Sequence, residues 1–360
     1  MSKFRTSRKI LFVIDEVGLV DHLAAIARQF FACGGSPHVV ELSGKGLPDW
    51  AKSSLSFATF VSEAECIARA DMWEAIWFAR PYSRVLSAEW QKMQLEKPVV
   101  YSGYGLPISK WDEFAHREFL QDVCDLILLR SASEEKRLGE LGLSKKAIAS
   151  GDPLLHDVIS ATAMLQKSDV CRTLLWAPHW SKKINGARGF YNWRWTVGPI
   201  YRHMKKYPNL ALVVRAHPFL LNAESKFLRH RTVGKLFSLP NVSISDSSLI
   251  ADIQRADALI TDGVSIIGYY AATGKPLATT SHVLFPPPFS IEGRALVRAS
   301  GTVSTPRGLS RFLASLQRDY ANALRENVVP QDLFRKLFFV RCAPPGEGLA
   351  KYPFSSTGTN

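Results

Sequence analysis

The residues best suited to chemistry cluster in the second half of the chain. Asp262, Gly263, Val264 and Ser265 lie in LITDGVSIIGYYAATGKPLATT (259–280), where strand-forming residues end at Thr261 and a helix is predicted from near Val264 to before Gly274. The first N–H groups of a helix have no partner within it, the helix dipole is positive there, and a glycine lets a ligand approach the backbone. Such an entrance would cradle a diphosphate. Asp262 and Ser265 can equally act as helix caps, with Gly263 as a simple turn. Upstream, Arg215 and His217 alternate at the end of VVRAHP (213–218), where Pro218 stops the strand. Arg215 is a candidate for stabilising diphosphate charge, and His217 a candidate general base or phosphate ligand. His179, just after LLWAP (174–178), is the reserve base. Asp15, at the end of KILFVI (9–14), can take a proton from an acceptor hydroxyl, or cap the next helix with Asp21 nearby.

The elements that must position these residues are legible from hydropathy. Apolar runs of four to six residues alternate with helical periodicity, the pattern of βα units around parallel sheets. In the first half the predicted strands are KILFVID, PHVVELS, AIWFA, KPVVYSG, DLILLRS and the segment KKAIASGDP. Val20, Leu23, Ala24, Ala27, Phe30 and Phe31 define one face of the first helix, stopped by Gly34 and Gly35, and Ser133 reads as a later N-cap. After a helical link near 154–166, a second series follows: TLLWAP (173–178), LALVVRAHP (210–218), NVSISD (241–246), ALITD (258–262) and PLATT (276–280). Two doubly wound halves are therefore expected, with ligands outside the carboxyl ends of the strands. Neither a G-x-G-x-x-G nor a P-loop motif is present.

Four blocks in order, LLWAPHW (174–180), VVRAHP (213–218), DIQRADALITDGVSII (252–267) and GKP (274–276), resemble the C-terminal half of the CDP-glycerol glycerophosphotransferase family. The resemblance lies mainly in residues 173–280; GDPLLHD (151–157) is similar to a turn near that family's domain link. It implies an α/β GT-B architecture: two Rossmann-like doubly wound domains facing a cleft, with an acceptor-side domain at 1–160 and a nucleotide-donor domain at 165–335. It also implies a transferase that moves a glycerol phosphate or sugar unit from a nucleotide diphosphate, CDP-glycerol foremost, to a teichoic-acid-like or capsular polymer or a lipid-linked precursor. The sequence departs from the family at several points. Ser102, followed by Gly103 in YSGYGLP (101–107), stands where a W-H-G-T-P motif carries its histidine; both are candidate acceptor-side residues. His179 replaces the threonine of A-P-T-W, and DGVSI replaces D-Y-S-S. These changes make a GT-B sugar-nucleotide glycosyltransferase of envelope polysaccharide synthesis the alternative. The UDP-N-acetylglucosamine epimerases share the architecture, but place a G-G-x-Q-E-E pattern where this chain has VSIIGYY, which argues against epimerisation.

With 45 basic and 32 acidic residues among 360, the formal charge is +13, favouring anionic partners. The segment 179–208 interleaves seven basic residues with Trp180, Phe190, Tyr191, Trp193, Trp195 and Tyr201, a mixture suited to an anionic membrane face, a phosphate polymer or stacked bases, or else to a surface helix whose aromatics turn inward. No nucleic-acid module is legible and the basic residues are dispersed, so binding of nucleic acid ranks last. The five scattered cysteines form no CxxC pair, and no motif calls for a metal or other cofactor. The apolar run after the basic N-terminus ends at Asp15 and Glu16, too short for a signal-peptide core. A cytoplasmic protein is expected, peripheral on the inner leaflet if its acceptor is lipid-linked. Residues 343–360, rich in Pro, Gly, Ser and Thr, read as a loose tail.

Overall fold

The computed structural model describes residues 8–338 and 347, apart from 45, 81–86, 104, 109–118, 164–168, 182, 185, 186, 189, 222–224, 264 and 282–288. The predicted tail therefore lies outside the described residues, Glu347 excepted, as does Val264. The chain forms two compact units: residues 1–105, 112–157 and 337–360 make the first, and 106–111 with 158–336 the second.

Among the described residues, the first unit carries β1 (Lys9–Ile14), β2 (Ser36–Glu41), β3 (Thr59–Phe60), β4 (Ala75–Phe78), β5 (Val99–Tyr101), β6 (Leu126–Leu129) and β7 (Ala147–Ala149). They form one parallel sheet in the order β3-β2-β1-β4-β5-β6-β7. The central strands are unbroken apolar runs because both faces are covered. Ile10, Phe12 and Ile14 pack on one side with Trp77 and the helix Val20–Ala32, while Leu11 and Val13 pack on the other with Trp73 and Trp90. This period-two division fixes the register, since a one-residue slip would exchange the two cores. Full burial of a ring such as Phe12 contributes about 2–3 kcal/mol.

Two local expectations are corrected here. Phe31 is 50% exposed, because neighbouring positions on a helix are about 100° apart and Phe30 takes the core-facing one. The helix Ala132–Glu140 is capped by Ser131 rather than Ser133: Ser131 is extended and its hydroxyl accepts from the Glu134 N–H, so the helix begins three residues after the end of β6.

The second unit contains β8 (Thr173–Ala177), a small hairpin of β9 (Lys183–Ile184) and β10 (Ala187–Arg188), then β11 (Ala211–Val214), β12 (Val242–Ile244), β13 (Ala258–Thr261), β14 (Leu277–Thr280) and β15 (Thr302–Val303). Its parallel sheet runs β12-β11-β8-β13-β14-β15. The hairpin and the two-residue strands β3 and β15 carry too little hydrophobic pattern to be predicted. The residues of the GKP block also brace the sheet. Lys275 Nζ donates to the carbonyls of Ile253, Gln254 and Ala256 at 3.2, 3.0 and 2.7 Å, closing the C-terminal end of the helix Leu249–Arg255. The residue just after YSGYGLP belongs to this unit: Ser290 N–H donates to Ile108 O at 2.9 Å, and a Cβ at Gly293 would lie 2.1 Å from that oxygen, so only glycine permits the approach. No described helix is long and apolar enough to cross a membrane.

Candidate functional site

In both sheets the strand order reverses beside the first strand of the unit, opening a crevice at the carboxyl ends. In the second unit that reversal falls between β8 and β13, whose ends are in register at Ala177 and Thr261. Asp262 follows β13 directly and bridges the crevice. Its Oδ1 accepts from the His179 N–H at 2.6 Å, beyond β8, and its Oδ2 accepts from the Asn192 N–H at 2.5 Å. Asn192 in turn donates through Nδ2 to Thr280 O at 3.1 Å, at the end of β14. One carboxylate thus fixes both ends of the 179–192 loop. It is 2% exposed, and burial pushes its carboxyl up to about 7 against the opposing pull of the backbone N–H groups.

His217 reaches the same edge from β11, the strand paired with β8 on its other side, and its N–H donates to Pro178 O at 3.1 Å. Its ring lies 4.9 Å from that of His179, edge to face. Both imidazoles have a defined tautomer. His217 Nδ1 accepts the Phe219 N–H at 3.3 Å, and His179 Nδ1 accepts the Ser181 N–H at 3.2 Å, so the proton of each neutral ring sits on Nε2. Ser181 Oγ lies 2.9 Å from His179 Nδ1 and accepts from the Phe190 N–H at 3.2 Å, locking that ring further. Burial pushes His217 down to about 4. It pushes His179 down to about 3, with His217 adding to the effect and a backbone hydrogen bond to Phe190 opposing it. Both rings are neutral at pH 7. Among the described residues nothing takes the Nε2 proton of His217, which makes it a ready donor to an anionic oxygen. With its Nδ1 occupied and Nε2 protonated, His217 is better built to bind phosphate than to accept a proton.

The other predicted residues are placed differently. Arg215 Nη1 bonds Ser247 O at 2.8 Å and Asp252 Oδ2 at 2.9 Å, a carboxylate shared with Arg255. The Gly263 N–H, read from the sequence as open to an anion, donates to Thr261 Oγ1 at 2.7 Å. The Thr261 hydroxyl in turn donates to Ala177 O at 2.7 Å. Ser265 begins the helix Ser265–Ala271 and is half-buried.

In the first unit, Asp15 pairs with Arg80 Nη2 at 2.6 Å, and Glu16 with Arg80 Nη1 at 2.7 Å, an arrangement that spans the β1/β4 reversal. Ser102 is 1% exposed and accepts the indole N–H of Trp77 at 2.9 Å. Gly103 follows it with φ +61°, turning the chain away from β5. Among the described residues no group of three or more His, Cys, Asp or Glu is gathered to hold a metal ion.

No protein-family model and no curated protein matches this sequence. Solved structures do. A form of the wall teichoic acid polymerase TagF soaked with CDPG superposes with a TM-score of 0.64 at 12% identity, over 96% of this chain and 87% of that one. UDP-GlcNAc 2-epimerase from Neisseria meningitidis bound to UDP-GlcNAc gives 0.59 at 13%, over 95% and 98%. MnaA from S. aureus with UDP gives 0.58 at 11%, over 91% and 94%. The chain has the GT-B fold. Within that fold both sequence-predicted histidines and Asp262 meet at the reversal of the second sheet, whereas Asp15, Ser102 and Gly103 belong to the first unit.

Several residues escaped the sequence reading. Arg80 was visible only as a charge directly after a predicted strand. Asn192 and Ser181 carried no signal, because their roles depend on contacts with Asp262 and His179 made by the folded loop. Of the aromatics in 179–208, Phe190 and Trp193 are fully buried, and Tyr191, Trp195 and Tyr201 pack against the core. Trp180 alone among these six remains strongly exposed, at 40%. The first unit also buries a polar group that periodicity could not reveal: His22 Nδ1 accepts the Gly105 N–H at 3.4 Å and lies 4.0 Å from Asp152, while Arg130 Nε donates to Glu134 at 3.0 Å.

Proposed function

We propose that this protein is a transferase that moves a glycerol phosphate or sugar unit from a nucleotide-diphosphate donor to an envelope polymer or its lipid-linked precursor, with CDP-glycerol the favoured donor. The observation that carries this reading is the Nε2–H of His217, held neutral and unclaimed at the reversal of the second sheet. It is a preorganised donor for diphosphate oxygens in a partly dehydrated setting, where it offsets charge building on the leaving group. His179 buttresses that ring, and Asp262 holds the loop that carries His179. CDPG in the TagF neighbour, UDP in MnaA and UDP-GlcNAc in the Neisseria epimerase support a nucleotide ligand.

With CDP-glycerol, the acceptor oxygen forms a bond to the β-phosphorus and the bond to the bridging oxygen breaks. The electron pair leaves with CMP, and the hydroxyl proton passes to a base. Asp15, held in place by Arg80, is the candidate base on the acceptor side. A lipid-linked acceptor would bring the protein to the cytoplasmic membrane face as a peripheral enzyme.

Glycosyl transfer is the second reading. It is favoured by Ser102, which is sealed against Trp77 at the position of the family histidine. The donor consumed separates the two. Incubation with CDP-glycerol and with UDP-, GDP- and CMP-activated sugars, plus lipid-linked acceptors, should yield CMP from CDP-glycerol; a sugar donor consumed instead would indicate glycosyl transfer. Conversion of UDP-GlcNAc without an acceptor, or no acceptor-dependent release from any donor, would overturn the transferase reading.

A further inference from the structure

Most large apolar side chains of the second unit are buried, yet two aromatics beside the histidine pair are not. Trp180 is 40% exposed and Phe219 56% exposed. They share no helix or strand: Trp180 follows His179 beyond β8, and Phe219 follows His217 beyond β11. Their rings nevertheless meet, 4.9 Å apart at 76°, so that one provides a floor and the other a wall. The corner is continuous with the imidazoles, since Trp180 lies 5.8 Å from His217 and 6.1 Å from His179, nearly parallel to the latter at 28°, and Phe219 lies 5.2 Å from His217. Leaving two large rings in water at a sheet edge where ligands bind forgoes burial free energy, which a stacking ligand would recover.

The geometry points to Trp180 and Phe219 as a stacking platform for the base of a nucleoside diphosphate whose phosphates lie on His217; this rests on the nucleotide-donor reading above. The chemistry of the corner selects a base over a sugar. A pyranose buries several hydroxyls, each of which needs a hydrogen-bond partner. Here both imidazoles already use Nδ1, and Ser181 Oγ is engaged by Phe190 and His179. A base instead presents a π face that needs no polar partner, and it stacks on aromatic rings whatever its identity. The platform itself should therefore tolerate pyrimidines and purines alike, leaving base selection to other contacts.

The test is calorimetric titration at pH 7.5 of the full chain and its Trp180→Ala, Trp180→Phe and Phe219→Ala variants, each with CDP and with inorganic diphosphate. Both side chains are substantially exposed, so truncation leaves the core intact, as circular dichroism will verify. Loss of one stacked base should weaken CDP binding about 5- to 150-fold in Trp180→Ala, with diphosphate affinity changed less than twofold and CDP binding largely kept in Trp180→Phe. Phe219→Ala should weaken CDP selectively, by a smaller factor. Equal weakening of both ligands, or no weakening of either, would overturn the platform while leaving the donor reading in place. A wild-type chain that binds diphosphate no less tightly than CDP would do the same. Failure of the wild-type chain to bind either ligand would overturn both readings.

Discussion

Replacing His217 by alanine removes the one ring proton proposed to contact the donor, and its effect can be estimated in two parts. At pH 7.5 the neutral ring donates one hydrogen bond to an anionic oxygen, worth about 1.5–3 kcal/mol, so CDP-glycerol affinity should fall about 10- to 150-fold. The second part is a pH dependence. In the free protein burial holds His217 down to about 4, so it gains no proton on mild acidification. A bound phosphate some 4 Å away, at an effective dielectric constant of about 20, favours the imidazolium by roughly 4 kcal/mol; the proton must enter at Nδ1 and displaces the Phe219 N–H, which costs about 0.5–1 kcal/mol, so the net gain is about two and a half pH units and would restore the ring to an ordinary range. Binding then takes up a proton, and affinity rises as pH falls below the value in the complex, by up to about tenfold per pH unit. CDP-glycerol suits the measurement because its diphosphate is esterified at both ends and does not titrate between pH 5 and 8. Calorimetry at pH 7.5 and 5.5 should show the wild-type protein binding about tenfold tighter at the lower pH and the His217→Ala variant showing little change. A folded variant with wild-type affinity and an unaltered pH profile would refute the assignment.

Two further perturbations test the scaffold. Asp262 is displaced from an ordinary 3.8 up to about 7, so its contribution to stability is fully present below pH 3.8 and is lost as pH rises through 7, amounting to roughly 4 kcal/mol. The stability of wild-type protein relative to Asp262→Asn should therefore fall by that amount between pH 4 and 8 in urea denaturation. His179 and His217 titrate in both proteins and largely cancel, so a flat difference would contradict burial as the cause. Lys275→Met leaves three helix-terminal carbonyls without their ammonium partner, and partial exposure moderates the cost to about 1–3 kcal/mol at neutral pH, read from the denaturation midpoint; an unchanged midpoint would show that water replaces the lysine.

The double-wound organisation was readable because its strands are continuous apolar runs between helices, and buried parallel strands leave that trace in any sequence. The location of His179, His217 and Asp262 at strand ends followed from the same pattern. Their division of labour did not. Asp262 and Gly263 looked like parts of an open anion cradle, but one carboxylate is buried beneath two loop N–H groups and the glycine N–H is held by Thr261. Arg215 looked aimed at a ligand, yet it joins a network with Asp252 and Arg255. A sequence reports which groups can ionise or donate; which partner each finds depends on contacts between residues as distant as positions 179 and 262. Trp180 illustrates the same limit, since pattern could not separate it from Phe190 and Trp193, which packing buries.

The central claim is that a nucleotide diphosphate binds the second unit through His217. It is tested most directly by assigning the imidazole resonances of His179 and His217 by nuclear magnetic resonance and titrating CDP-glycerol into the wild-type protein. The proposed site predicts saturable shifts of the His217 Nε2–H and of its neighbour His179, with first-unit His22 unmoved. Saturable binding that leaves both rings unperturbed would place the donor elsewhere and contradict the claim.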